Sequence, residues 1–220
     1  MKKLLFGLAL LLALVATPTY AASALAVNNA AAMNGTNFGL QVAIDNTLAG
    51  SNSAYVESDH PIDESHILFR FWIKPMPGFV LSQTANANFI RIAYGVRDTG
   101  TQAIRMVIFA KKSVVAGNYR INVWMRNDSN NFFNAGEYFL TSGATPQPQQ
   151  IEFEYTQGTG SNNGRLIARK GGVQQFDTGA TLDTDLSPIG KVRLGFLYSP
   201  TDTIATVQGS VAFDEYESYR

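Results

Sequence analysis

The sequence predicts an all-β protein built as an antiparallel two-sheet sandwich, and three observations predict it. Apolar residues recur at every second position in seven separate runs. Turn residues such as Asn162-Asn163-Gly164 and Gly171-Gly172 punctuate the chain. No segment carries an apolar stripe at helical spacing over ten residues or more. A strand sends successive side chains to opposite faces, so strict alternation marks one face turned to a core. Many short strands separated by turns suit a sandwich.

The stripes run in order. Phe38, Leu40, Val42 and Ile44 form the first. Ile67, Phe69, Phe71 and Ile73 form the second, alternating with Leu68, Arg70, Trp72 and Lys74. Ile90 and Ile92 alternate with Phe89, Arg91 and Ala93. Ile104, Met106 and Ile108 follow, then Tyr119, Ile121, Val123 and Met125. The last are Ile151, Phe153 and Tyr155, and Val192, Leu194 and Phe196. No internal repeat is visible, so residues 38–220 read as one domain.

Residues 1–21 read as a signal peptide: Lys2 and Lys3, a Leu4–Ala16 apolar core, then small residues around Ala21. Residues 22–37, rich in alanine and asparagine, read as a flexible leader. The expected mature chain is secreted, to the periplasm or beyond. No later run approaches the ~20 apolar residues of a spanning helix. The chain has no cysteine, so no disulfide can staple an exported fold and its stability must come from burial. It holds 17 basic and 17 acidic side chains, and removing Lys2 and Lys3 leaves a slight acidic excess. That balance argues against nucleic acid as a partner, because phosphate binding needs a basic surplus.

The order of several segments resembles one group of proteins. Ala54-Tyr55-Val56-Glu57-Ser58-Asp59 leads through Pro61 into Phe69-Arg70-Phe71-Trp72-Ile73. Gln150 to Tyr155 is followed by Gly164-Arg165-Leu166 and the Gly171-Gly172 turn. Val192-Arg193-Leu194-Gly195 precedes a closing Phe213-Asp214-Glu215-Tyr216. Together these resemble secreted bacterial laminin-G-like or concanavalin A-like jelly-roll domains. The resemblance implies two curved antiparallel sheets, with carbohydrate binding a frequent use of the concave one. It also implies a structural calcium held by an aspartate on the last strand, which points to Asp214; separately, Asp183-Thr184-Asp185 has the local spacing of a calcium loop but lacks its glycine and distal glutamate. The other reading of these aspartates is turn capping and arginine pairing.

Parity marks a candidate ligand face. Trp72 shares its face with Arg70 and Lys74, and Trp124 shares its face with Arg120, Asn122 and Arg126. Arg91, Arg105, Glu152 and Glu154 also fall opposite the aliphatic stripes, as does His66. Aromatic rings stack on sugar faces, while guanidinium and carboxylate groups bind hydroxyls or acidic groups. Ten of the 17 basic residues are arginine, which suits bidentate contacts. The first expectation is therefore a non-catalytic module binding a polysaccharide or glycan through Arg70, Trp72, Arg91, Arg105, Arg120, Trp124, Arg126, Glu152 and Glu154. The competing expectation is cross-strand pairs that decorate a solvated sheet.

Chemistry has fewer footholds. Glu152 and Glu154 are two apart, as are Glu215 and Glu217. Either pair could form the dyad of a polysaccharide hydrolase, and a lyase is the related alternative. No nucleophile elbow and no phosphate-binding glycine loop occurs. Two histidines without cysteine make a zinc site improbable, so no cofactor is expected beyond that calcium. A third expectation is an envelope or matrix protein that binds another protein.

Overall fold

The computed structural model describes residues 23–44, 53–81, 89–99, 103–112, 118–141, 146–199 and 207–220. The expected signal peptide at 1–21 lies outside them. The chain folds as the predicted antiparallel jelly-roll sandwich, and among the described residues its one helical element is a 3₁₀ turn at Asn29–Ala31. The strands among the described residues are β1 (Ala24–Asn28), β2 (Gly39–Ile44), β3 (Ala54–Glu64), β4 (His66–Pro75), β5 (Phe89–Arg97), β6 (Ala103–Lys112) and β7 (Tyr119–Arg126), then β8 (Phe132–Thr141), β9 (Gln149–Thr156), β10 (Arg165–Lys170), β11 (Val173–Asp177), β12 (Ile189–Phe196) and β13 (Gly209–Tyr219). One sheet has seven strands in the order β1-β2-β13-β4-β9-β10-β11. The other has six, in the order β3-β12-β5-β6-β7-β8.

The predicted stripes meet between the sheets. Phe69 and Phe71 of β4, Phe153 of β9, Phe213 of β13 and Phe196 of β12 are all buried to within 1%. Phe69 packs on Phe153 with ring centroids 5.5 Å apart, and Phe71 on Phe213 at 5.9 Å. Each such ring contributes roughly 2 kcal/mol through burial, the source of stability a cysteine-free chain must use. The Tyr155 hydroxyl donates to the Ser187 carbonyl at 2.8 Å, which satisfies the one polar atom of a fully buried ring. Burial holds that phenol well above its usual range. At Gly195 the backbone sits at φ +146°, and a Cβ would meet the Ala54 carbonyl oxygen at 2.3 Å. Glycine there lets β12 close on β3.

Three expectations need correction. Residues 24–28 are not a loose leader but strand β1, paired along its length with β2 from Ala24↔Ala43 to Asn28↔Gly39. Backbone pairing there needs no alternation, so the pattern gave no signal. Phe38 lies outside the core and is 64% exposed. Ile104 also leaves its stripe: the pairing of β5 with β6 shifts register between Gly95 and Val96, so Met106 and Ile108 stay in the core while Ile104 joins a cluster on the outer side.

Candidate functional sites on the two outer faces

Two sheets give two outer faces, and the predicted site residues divide between them. Arg70, Trp72, Glu152 and Glu154 lie on the seven-stranded sheet. Arg91, Arg120, Trp124 and Arg126 lie on the six-stranded sheet. A single groove containing both tryptophans does not exist, because the core separates them.

On the seven-stranded sheet the charges are consumed by one another. Glu217, Arg70, Glu152 and Arg169 follow in register across β13, β4, β9 and β10. Arg70 donates through Nε and Nη2 to Glu217 at 3.0 and 2.7 Å. Arg169 donates to Glu152 at 2.7 Å and to Glu154 at 2.6 Å. His66 stands 3.4 Å from Glu154. The hydrogen bond from Arg169 holds the Glu154 carboxyl below its ordinary range, against the opposing effect of burial. A glycosidase acid needs a carboxyl held protonated, so this environment pushes Glu154 the wrong way.

Trp72 is half-buried under the N-terminal segment. It packs with Ala31, Met33, Met76 and Ala212, and its indole Nε1 is buried without a hydrogen-bond partner. Asp214 fastens the covering segment: its carboxylate accepts from the Met33 amide at 2.7 Å, the Thr36 hydroxyl and the Glu215 amide at 2.8 Å. This is the use that the structure shows for Asp214, the aspartate to which the family resemblance gives a calcium role. The expected turn at Asp183 and Asp185 gains a third carboxylate from Asp128, the three lying within 4.8 Å of one another. Both oxygens of Asp128 already accept backbone amides, from Asp185 at 2.9 Å and Leu186 at 2.8 Å. Asp128 thereby caps the 183–187 turn, within a group of three carboxylates whose spacing could also hold a cation.

Arg105 joins neither face. It is the residue where β6 changes register, and it is only 8% exposed. Burial lowers its pKa, as does repulsion from Arg97 and Arg126, with Asp128 acting the other way.

The six-stranded sheet is organised differently. One row crosses its full width: Glu57, Arg193, Tyr94, Val107, Trp124 and Asn134, in register from β3 to β8. The neighbouring row holds Arg91, Phe109, Asn122 and Glu137, and the next Phe89, Lys111 and Arg120. Tyr94, Val96, Val107 and Leu197 form a buried apolar floor distinct from the main core. Phe89, Phe109 and Trp124 make an edge-to-face chain above it, with centroids 4.9 and 6.4 Å apart. The Arg91 guanidinium lies 5.5 Å from the Phe109 centroid and donates to the Tyr94 hydroxyl at 3.3 Å. Arg120 stacks on Phe139 at 4.4 Å, Arg126 on Phe132 at 5.2 Å and Arg193 on Tyr55 at 5.1 Å. The Trp124 indole donates to Asn122 at 2.5 Å, which fixes the ring. Glu137 ties Arg120 to Lys111; burial alone would raise its pKa, but these hydrogen bonds lower it.

Sequence parity found Trp124 and its arginines but missed Phe89, Tyr94, Phe109 and Phe139. A signal existed for Phe109, which shares parity with Lys111 and opposes Met106 and Ile108.

No family model matches the chain, and no curated protein matches it in sequence. Solved structures do match. An endo-β-1,4-glucuronan lyase from the fungus Trichoderma reesei superposes with TM-score 0.58 at 12% identity, covering 88% of this chain and 85% of the lyase. An alginate lyase from Pseudomonas aeruginosa gives TM-score 0.53 at 10% identity, over 83% of this chain and 82% of that one. The binding domain of botulinum neurotoxin serotype D gives 0.53 at 12% identity, over 92% of this chain but 44% of that one. At these identities the similarity is one of fold, a concanavalin A-like jelly roll.

Proposed function

We propose that the chain is an exported, non-catalytic module that binds a polysaccharide on the outer face of its six-stranded sheet. The observation that carries this reading is the Phe89–Phe109–Trp124 chain with Arg91 laid over Phe109. Rings on an apolar floor offer stacking surfaces for sugar rings, and guanidinium groups flanking them donate to hydroxyls or carboxylates. The similar lyases act, by their names, on glucuronan and alginate, so acidic polysaccharides head the ligand class.

Binding of alginate, glucuronan and a neutral glucan, measured by affinity electrophoresis, tests this. Trp124→Ala should weaken retention about tenfold or more, the size of one lost stacking contact plus its hydrogen bond. Equal retention of Trp124→Ala and the parent on every glycan that binds would refute the face. Export is tested separately: the exported protein should begin at Ala22.

A further inference from the structure

Among the described residues the two sheets have four edges, formed by β1 and β11 of one sheet and β3 and β8 of the other. An edge strand carries unpaired backbone donors and acceptors, and folded proteins blunt such edges with charge, proline or bulges. Three edges here are blunted. β3 bears Glu57, Asp59, Asp63 and Glu64, and its pairing loses register between Asp59 and Glu64. β8 bears Glu137 and shifts register against β7 twice. β11 is glutamine-rich and ends on Asp177, which is locked to Arg165.

β1 has none of these devices. Its sequence is Ala-Leu-Ala-Val-Asn, and four of its five residues are exposed. No charged residue occurs from Ser23 to Ile44, so neither β1 nor its neighbour β2 carries charge. Leu25 and Val27 stand opposite Val42 and Leu40 of β2, on the core side, yet Val27 is 73% exposed. Phe38, beside the far end of β1, and Val56 of edge strand β3 extend this apolar strip, 64% and 43% exposed.

We infer that the β1 edge is an interface for a second copy of this chain, joined by antiparallel β1–β1 pairing across a two-fold axis. In a ribbon this short every side chain lies close to the axis and so near its own duplicate, where like charges would repel; β1 and β2 carry none. The strand is also self-complementary. With the axis at Ala26, Leu25 of one copy faces Val27 of the other on the core side, while small alanines lie on the opposite face. A five-residue ribbon buries less than the roughly 1,200 Å² at which stable interfaces begin, so the dimer should be weak, with a dissociation constant on the order of 10 μM.

Sedimentation velocity of the full chain, over concentrations on the order of 1 to 100 μM, reads the dimer directly. Val27→Lys sets a charge opposite the apolar Leu25 of the other copy and near its own duplicate across the axis, and should raise the dissociation constant tenfold or more at unchanged melting temperature. Ala26→Cys reads the register: directly opposed residues lie about 4.5–5.5 Å apart, within disulfide range, and the chain has no other cysteine. It should form a covalent dimer under mild oxidation, and Gln174→Cys on the β11 edge should not. A dimer insensitive to Val27→Lys overturns the inference. So does cross-linking of Ala26→Cys no faster than of Gln174→Cys.

Discussion

On the outer face of the seven-stranded sheet, arginine meets carboxylate, with Arg70 also over the Tyr219 ring; on that of the six-stranded sheet, arginine meets aromatic rings, with Arg120 and Arg193 also paired to Glu137 and Glu57. Arg70 and Arg169 lie in one register row with Glu217 and Glu152, and each hydrogen-bonds carboxylates there. Arg91, Arg120, Arg126 and Arg193 each lie over a ring. The tryptophans follow the same division. Both are half-buried: Trp72 packs against Ala31 and Met33 of the N-terminal segment, whereas Trp124 packs against the apolar floor outside the core. A face whose charges satisfy one another holds the sheet together. A face of stacked rings keeps surface that a ligand can use.

The largest expected effect is a crossover between the two tryptophans. Trp72→Ala removes a ring packed beneath the N-terminal segment and should cost about 3 kcal/mol in urea unfolding. Glycan binding by the protein that remains folded should not change. Trp124→Ala should do the reverse, costing about 1 kcal/mol of stability while removing most of the binding. If Trp72→Ala abolished binding at full stability, the assignment of the faces would be inverted.

That crossover also marks how much the sequence could say. The stripes of β4, β7, β9 and β12 were legible because each strand keeps strict alternation over a buried face. Parity likewise identified both tryptophans as standing outside the aliphatic core. Parity names a face of a strand, however, not the sheet to which the strand belongs. Trp72 and Trp124 therefore looked like neighbours until topology placed β4 and β7 in different layers. Arg105 shows the second limit, since one bulge turned a surface arginine inward and Ile104 outward. β1 shows the third: five residues, mostly exposed, pair with β2 through backbone and one Asn28–Gln41 side-chain hydrogen bond, a run too short to stand out by period.

A smaller effect sharpens the account of the seven-stranded face. Asp214 accepts three donors from the segment over Trp72 and from its own strand. Asp214→Ala should lose about 2 kcal/mol, the value of hydrogen bonds to a charged acceptor. Amide exchange at Met33 should quicken more than at Trp124. Adding calcium to the parent separates the two uses of this aspartate: fastening the segment predicts an unchanged melting temperature. A calcium-dependent rise that Asp214→Ala removes would restore the metal reading.

The smallest effect concerns His60, which lies on β3 at the edge of the six-stranded sheet, apart from both patterns. It is 5% exposed, and neither ring nitrogen has a hydrogen-bond partner. Burial lowers its pKa from 6.5, Arg220 lowers it further, and Glu64 and Asp59 pull the other way. The sign follows from which state takes the proton. Below pH 6.5 the unfolded chain protonates this histidine while the folded chain resists. Its stabilising contribution is therefore complete above the unfolded value and shrinks as pH falls. The slope is at most about 1.4 kcal/mol per pH unit until the folded ring also takes its proton. Urea unfolding of the parent should show this decline across mildly acidic pH, and His60→Leu should flatten it while leaving the steeper carboxylate-driven loss at lower pH. An identical decline in both proteins would mean that the ring titrates as freely in the fold as in the unfolded chain. His60 would then belong with the solvated charges of the opposite sheet, not with the buried edge of this one.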